Sequence, residues 1–299
     1  MLIFPLPAMD RELFRSVRIS PILGPSGAAA VVSNSLKYYL SDIRAEAARR
    51  GDAWEAHRHY TNPLELVHLH VDERHRHMHH DYFELVELAA FFDLAAPSPT
   101  AISCLSLTGR GSIGAIAARR RGRPDDLYAD LPPTAALSLA TLVHFCAGGY
   151  AGSVDIISAG SRSGGEASAP DLWRQIAHAL CLQRRGGSLV VRICDVFAHA
   201  SVDILALLAS CYTSVVVAKP QACSCTDSAK YVVCRDFVFD KYAPLYDVLC
   251  ASLAPAESGD LTYKDNAAAG EARVLWGATP LHFLSHVGVC NAVLGQRQI

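Results

Sequence analysis

The hydrophobic positions of the first part of the chain recur at the spacing of helices. Residues 33–51 carry an apolar stripe behind a serine that can cap a helix, and Gly51 ends the pattern. A second helix is predicted from Asn62, and a third over HHDYFELVELAAFFDL, which a proline ends. Residues 1–33 are rich in proline and glycine, which predicts an irregular arm packed over the core.

After residue 100 the pattern changes to short apolar runs bounded by glycine and polar residues. The runs that predict strands are AISCLSL, VDIISAG, SLVVRIC, SVVVAKP and KYVVCRDF. Because helical segments separate most of them, we expect a mostly parallel α/β sheet covered on both faces. No helix separates the last two strands, which predicts an antiparallel, hairpin-like edge. The expected units are an N-terminal arm with helices (1–97), a core (98–240) and a C-terminal helical extension packed on it (241–299).

Composition narrows the class of protein. Apolar residues make up 51% of the 299 residues and charged residues 19%, which is enough for a large core, and the net charge of -2 gives no global attraction to nucleic acid. No run approaches the roughly 18 apolar residues of a membrane span, and the start lacks the basic region of a signal peptide, so we expect no membrane contact and a cytoplasmic location. The ten cysteines lie mostly in apolar segments, which indicates buried thiols.

Histidine is concentrated in one stretch, His57 to His80, which holds eight of the thirteen histidines. That number of imidazoles could serve a metal, but two histidines in an H-x-H pattern on a helix point roughly 200° apart. We therefore expect no metal there and favour a polar connection, with contact to RNA or a partner as the alternative. The pair Cys223 and Cys225 has no second pair at zinc-site spacing.

Two further motifs leave alternatives open. One is the turn Thr108, Gly109, Arg110, Gly111, Ser112 after a predicted strand, which suits either a nucleotide loop or a tight strand-to-helix turn. The other is the basic cluster Arg119, Arg120, Arg121, Arg123 at a helix end, which suits either a solvated terminus or contact with phosphate or an acidic partner.

Several phrases, over about residues 60–237, occur in the order of one known family. They are YTNPLELVH, DYFELVEL, LSLTGRGSIGAI, VDIISAG, GGSLVVRICD and KPQACSCTDSAKYVVC. In these phrases the chain resembles the FtsJ/RrmJ-type RNA ribose 2'-O-methyltransferases, particularly the cap methyltransferases of large DNA viruses. The resemblance implies a Rossmann-like sheet, S-adenosylmethionine at the glycine turn and a Lys-Asp-Lys-Glu tetrad that activates the ribose hydroxyl.

All four tetrad positions differ in this chain. The resemblance places Glu84, Gly160, Arg192 and Ala229 where the family has lysine, aspartate, lysine and glutamate. The cofactor turn is also altered, because Arg110 stands where its charge would repel the sulfonium. We therefore expect no catalytic residue and no bound cofactor, unless the pocket for S-adenosylmethionine survives.

These expectations favour a catalytically inactive, methyltransferase-like subunit that stimulates or scaffolds a larger catalytic subunit in mRNA capping or cap methylation. The small subunit of the poxvirus mRNA capping enzyme is comparable in kind, which suggests a viral source and a viral factory or virion as location. The arm, the C-terminal helix and the arginine cluster are the surfaces expected to contact the larger subunit. RNA is a further expected partner, bound through a local basic patch. Two alternatives remain: a diverged active methyltransferase with Glu84 or Asp155 as base, and a structural component of a ribonucleoprotein or virion.

Overall fold

The computed structural model describes residues 1–11, 33–62, 64, 80–96, 100–108, 112–131, 137–160, 169–224, 227–240, 243–253 and 279–296. Within these ranges the strands are β1 (Leu2–Pro5), β2 (Ser103–Ser106), β3 (Leu127–Asp130), β4 (Val154–Gly160), β5 (Gln183–Ile193), β6 (Tyr212–Lys219) and β7 (Lys230–Phe237). The helices are α1 (Asn34–Arg50), α2 (Asp52–Thr61), α3 (His80–Phe91), α4 (Ser112–Arg119), α5 (Leu139–Ala147), α6 (Ala169–Leu182), α7 (His199–Cys211), α8 (Ala243–Leu253) and α9 (Leu281–Gly295).

In the described part of the chain the seven strands form one sheet, in the order β1-β6-β7-β5-β4-β2-β3. The strands β3, β2, β4 and β5 pair in parallel, whereas β7 is antiparallel to both of its neighbours. The predicted α/β class, with a mostly parallel Rossmann-like sheet and an antiparallel final strand, is confirmed.

The position of β7 differs from the expected edge. It lies between β5 and β6, with Val190 opposite Val233 on one side and Val216 opposite Val233 on the other. The first five residues of β7 are all buried, as in strands that are covered on both faces. The predicted antiparallel pairing of the last two strands is confirmed. Its position at the sheet edge was wrong, because β6 lies one place further out and β7 fills the gap between β6 and β5.

Alternate residues of the central strands enter two cores. Leu189, Val191 and Val232 pack on one face with the buried sides of α5 to α9. Val190 and Val233 pack on the other face against α3 and α4. The sheet thus places α3 directly over β5 and β7, where the candidate site lies.

The N-terminal stretch is not wholly irregular. Leu2–Pro5 form β1, which pairs antiparallel with β6 from Leu2 opposite Lys219 to Pro5 opposite Val216. Its burial alternates along the strand, and the proline lies at the strand end, where a missing N–H is tolerated. The expectation of an irregular arm was wrong for these residues, and residues 12–32 lie outside the described ranges.

The predicted helices over residues 33–51 and at HHDYFELVELAAFFDL are confirmed as α1 and α3, and the C-terminal helix as α9. The helix predicted from Asn62 lies almost wholly outside the described residues. Helix α2 was missed, because it restarts one residue after Gly51, whose φ of 47° breaks the preceding helix. The division at residues 97 and 240 stays a prediction. No helix among the described residues is both long and apolar enough to cross a membrane.

Candidate functional site

The candidate site lies where β4 and β5 end and β7 begins. Gly160, the last residue of β4, is opposite Arg192 of β5, which in turn is opposite Tyr231 of β7. Helix α3 brings the Glu84 carboxylate to 3.8 Å from the Arg192 Nε. Ala229 directly precedes β7 and is buried. The fold therefore gathers the four tetrad positions at the carboxyl end of the parallel strands, where α/β sheets bind ligands.

Arg192 is held among three carboxylates. Its guanidinium nitrogens lie 3.9 Å from Asp81, 3.8 Å from Glu84 and 3.6 Å from Asp227. Burial by itself lowers the pKa of Arg192, but Tyr231, Glu84 and the other acids outweigh burial and raise it. Arg192 is therefore a permanent cation whose charge the surrounding acids offset.

Glu84 is an acid buried beside that cation. The Tyr231 hydroxyl donates to its Oε2 over 2.5 Å, and burial raises the pKa of Glu84 to about 7, against the opposing effects of Tyr231 and Arg192. Burial also raises the pKa of Tyr231, so this phenol stays protonated and remains the donor. Glu84 accordingly exchanges a proton near neutral pH.

Gly160 cannot carry a side chain in this fold. Its φ is 133°, and an added Cβ would lie 2.4 Å from the carbonyl oxygen and 2.6 Å from the nitrogen of Arg192. The Gln175 amide binds both backbone groups of Gly160. Its Oε1 accepts from the Gly160 N–H at 2.7 Å, and its Nε2 donates to the Gly160 carbonyl at 3.0 Å. A carboxylate at this position would require the strands to separate.

Two acids of the site were missed by the sequence argument. Asp227 lies two residues before Ala229, whose N–H donates to its Oδ1 at 3.1 Å. Asp81 is one helical turn before Glu84, so both project from the same face of α3. The sequence signals for these acids were the position of Asp81 three residues before Glu84 and the polar turn that contains Asp227. Neither signal indicates that both acids face Arg192.

Two buried lysines beside the site were also missed. Lys230 donates to Asp195 Oδ1 at 2.6 Å, and Arg44 of α1 pairs with the second oxygen of the same carboxylate. Burial alone raises the pKa of Asp195, but these two cations outweigh burial and lower it. Lys219 donates to the Asp227 carbonyl at 2.5 Å, and burial lowers its pKa. Both lysines are thus committed to contacts within the protein.

Asp155, proposed as an alternative base, lies at the wrong end of β4. It accepts from the N–H of Ser103 at 2.9 Å and pairs with Arg184 at 2.9 Å. Five strand residues at about 3.3 Å each place it roughly 16 Å from Gly160. The proposal of Asp155 as a base for this site was therefore wrong.

The glycine turn is described only at its two ends. Thr108 is buried with its hydroxyl 3.2 Å from that of Ser106, and Ser112 begins α4. Gly109, Arg110 and Gly111 lie outside the described residues, so the expectation about the cofactor stays a prediction. Asp130 ends β3 and is exposed, about 20 residues beyond the turn, where the related dinucleotide fold has an acid that binds a ribose.

The four arginines of the basic cluster do not form one surface. Arg120 is buried and pairs with both oxygens of Asp126 at 2.8 Å, while its Nη2 donates to the Thr100 carbonyl at 2.6 Å. The prediction of Arg120 as a contact residue was therefore wrong. Arg119 pairs with Asp93, and Arg121 is exposed, so Arg119, Arg121 and Arg123 stay candidates for contact.

The histidine stretch is described in only a few places. The His57 ring is exposed, with its Nδ1 2.8 Å from the Ala53 carbonyl oxygen. Among the described residues no three or more His, Cys, Asp or Glu side chains are arranged to hold a metal ion. Cys223 is buried and Cys225 is outside the described ranges.

Comparisons with known proteins give similarity to part of the chain. No protein-family model matches. The chain is 37% identical over 78 residues to the cap-specific mRNA (nucleoside-2'-O-)-methyltransferase 2 of Danio rerio, covering 26% of this chain and 10% of that protein. It is 33% identical over 61 residues to the inactive cap-specific mRNA (nucleoside-2'-O-)-methyltransferase 1B of Caenorhabditis briggsae, covering 20% and 7%. The chain thus spans a tenth or less of the length of these relatives.

Among solved structures, the CurJ carbon methyltransferase aligns over 69% of this chain and 71% of its own, at 15% identity and a TM-score of 0.33. That score is too low to support any argument about this chain. The sequence comparisons show that a short part of the chain is similar to cap-specific mRNA 2'-O-methyltransferases.

Proposed function

We propose that this chain is a methyltransferase-like protein without methyl-transfer activity, which acts as a regulatory or scaffolding subunit in the methylation of mRNA caps. The proposal is carried by Arg192, a cation held among three carboxylates where the resembling family has its central lysine.

The chemistry at Arg192 supports the absence of catalysis. A ribose hydroxyl becomes a useful nucleophile only when a positioned group removes or polarises its proton. An arginine keeps its proton at any physiological pH, so it cannot act as the base. Three nearby acids also reduce the positive field that would stabilise a developing alkoxide.

The backbone at Gly160 supports the same conclusion independently. The family's aspartate has no room here, because backbone and Cβ atoms of Arg192 occupy the space of any side chain. A single substitution that restores aspartate is therefore expected to damage the fold rather than recover catalysis.

The relatives support the class of function. Part of the chain is similar to three proteins. Two of them are named cap-specific mRNA methyltransferases, and the third is named an inactive one. Both active and inactive relatives thus carry this kind of segment, and the site of this chain favours the inactive kind.

A larger catalytic subunit is the partner we propose, with α9 as one contact surface. This helix has no charged residue and exposes Leu281, Val289 and Val293, as expected at the centre of an interface. Contact with RNA through Arg119, Arg121 and Arg123 is a second proposed interaction.

The test is a reconstitution with an active cap methyltransferase. The chain is titrated into that enzyme, and the initial rate on capped RNA and complex formation are measured. We expect a saturable increase in rate, which Val289→Glu reduces and the matched surface variant Val143→Glu, at 42% exposure, leaves unchanged. A rate and a sedimentation profile unaffected by the chain would contradict the regulatory role.

We further propose that S-adenosylmethionine does not bind. Calorimetric titration with S-adenosylmethionine and S-adenosylhomocysteine should give no heat. Micromolar affinity that Asp130→Ala abolishes would show instead that the pocket survives.

One observation favours the alternative of a diverged active enzyme. Glu84 has a pKa of about 7, which suits a general base at neutral pH. In that case the chain alone would transfer methyl groups, at a rate that follows the ionisation of Glu84 and is lost in Glu84→Gln. A methyl-transfer assay without the added enzyme therefore separates the two functions.

A further inference from the structure

Two histidines of α9 lie one helical turn apart on its exposed side. His282 and His286 are four residues apart in this helix, and both are exposed. Side chains at i and i+4 of a helix are neighbours on one face, with about 5–6 Å between their Cβ atoms. Phe283, which follows the first histidine, is buried. The two imidazoles therefore share the face of α9 that is turned away from the core.

The helix that carries this pair is held against the core at several points. Phe283 belongs to the large core cluster. Just before the helix, the Thr279 hydroxyl donates to the buried Asp203 carboxylate at 2.7 Å. Near the end of the helix, the Asn291 Nδ2 donates to the Val196 carbonyl at 2.6 Å. The spacing of the two histidines is thus set by the folded backbone, so a shared ligand does not have to order the helix when it binds.

The imidazole nitrogens are available for a ligand. The His286 ring has an edge contact with Phe4, with ring centroids 6.3 Å apart, and within the described ranges neither histidine has a hydrogen bond or an ion pair. Helix α9 has no charged residue, so no acid of the same helix pairs with the rings. Two imidazoles at this spacing, without other polar partners in the part of the chain that the structure describes, are suited to share one metal ion.

We propose that His282 and His286 form a binding site for one zinc ion on the exposed face of α9. Imidazole nitrogen is a common ligand of zinc, at about 2.0–2.1 Å, and histidines at i and i+4 hold zinc on the helices of metalloproteases. Among the described residues no third His, Cys, Asp or Glu side chain completes the site. The other coordination positions therefore stay open to water or to ligand atoms of another molecule. This inference does not depend on the proposed function.

The site is suited to binding and not to hydrolysis. In metalloprotease helices the residue after the first histidine is a glutamate that acts as general base, and here that residue is Phe283, which is buried. The exposed side chains of Val289 and Val293 continue along the same face of α9. A zinc ion at the two histidines would thus present its open positions at the uncharged surface of this helix.

The experiment measures whether zinc protects single histidines from chemical modification. The folded chain is treated with diethylpyrocarbonate, with and without a small excess of zinc chloride, and the modified residues are mapped by mass spectrometry. We expect zinc to protect both His282 and His286, and EDTA to reverse the protection. His144, which is exposed on α5 and has no histidine three or four residues away, is the internal control and should react equally in both samples. In His286→Ala, zinc should no longer protect His282.

Two results would overturn the assignment. One is equal modification of His282 and His286 with and without zinc. The other is protection of His282 that persists in His286→Ala, because the two histidines would then not share an ion. Mapping by residue separates α9 from the histidines of residues 57–80, so zinc bound in that stretch alone counts as the first result. Since the wild type by itself can give that result, the test does not depend on the folding of a variant.

Discussion

Two buried arginines of this protein are paired in opposite ways. The side chains of Arg120 and Asp126 are both fully inaccessible and form a bidentate pair at 2.8 Å, and the carbonyl oxygens of Ala96 and Thr100 accept two further N–H groups of Arg120. Arg192 faces three acids, none closer than 3.6 Å, and within the described part of the chain its Nε has no hydrogen-bond partner.

The two arginines differ in whether their hydrogen-bonding groups are satisfied. Satisfied, bidentate geometry is required when a buried charge must not cost stability. The Arg120 pair meets that requirement and ties α4 to β3, so it is structural. The Arg192 cluster does not meet it, as expected where charges are placed for ligands or were substituted without repacking.

The largest expected effect comes from breaking the structural pair. Arg120→Ala leaves the Asp126 carboxylate buried and uncompensated, and we expect the melting temperature to fall by about 10 °C. Calorimetry measures the shift, with the exposed Arg121→Ala as the control. A change as small as that of the control would show that the pair is not structural.

Titration of Glu84 should have the next largest effect. Its pKa is raised from 4.5 to about 7, so the folded state binds more protons than the unfolded state between these values, and stability falls as pH rises through the window. Relative to Glu84→Gln, the wild type should lose up to about 3 kcal/mol between pH 4.5 and 7. Urea unfolding at several pH values measures this difference, and Asp42→Asn, exposed on α1, is the control. A constant difference between wild type and Glu84→Gln would exclude a raised pKa.

Substitution of Gly160 is expected to cost about 2 kcal/mol more than that of a glycine in open space, because it adds a backbone clash to conformational strain. Gly122→Ala is the matched control, since its φ is 59° and no atom lies within 4 Å of the added Cβ. Denaturant unfolding of Gly160→Ala and Gly122→Ala gives the comparison. Equal costs would mean that an aspartate could be accommodated after all.

The smallest effect is expected at Arg192. Loose ion pairs contribute little, and Glu84 can neutralise itself by binding a proton, so Arg192→Met should change the free energy of unfolding by about 1 kcal/mol or less at pH 6. The pKa of Glu84 should rise further, because the guanidinium opposes the rise. Stability against pH measures both, and a loss as large as that of Arg120→Ala would end the distinction between the two arginines.

The sequence predicts the alternation of strands and helices well, because apolar runs such as SLVVRIC specify buried strands locally. It does not predict that β7 enters the sheet between β5 and β6, since strand order depends on contacts distant in sequence. Helix α2 was missed for a local reason, because only a single residue, Gly51, separates it from α1.

The site was predictable only as a set of positions. Motif order placed Glu84, Gly160, Arg192 and Ala229, and the fold brings them together. Asp81 and Asp227 were not predicted as site residues, because nothing in a linear sequence specifies which cation an acid will face. The burial of Arg120 was not predicted, because a run of arginines indicates a solvated helix end. Only the fold shows which arginine of the run is buried.

The proposed function requires that the Arg192 site does not catalyse methyl transfer. The most direct test is to incubate the purified chain alone with capped RNA and radiolabelled S-adenosylmethionine, and to count the label in the RNA. We predict incorporation equal to that without protein, for the wild type and Glu84→Gln alike. Incorporation by the wild type that Glu84→Gln abolishes would contradict the proposed function and make Glu84 the base of an active enzyme.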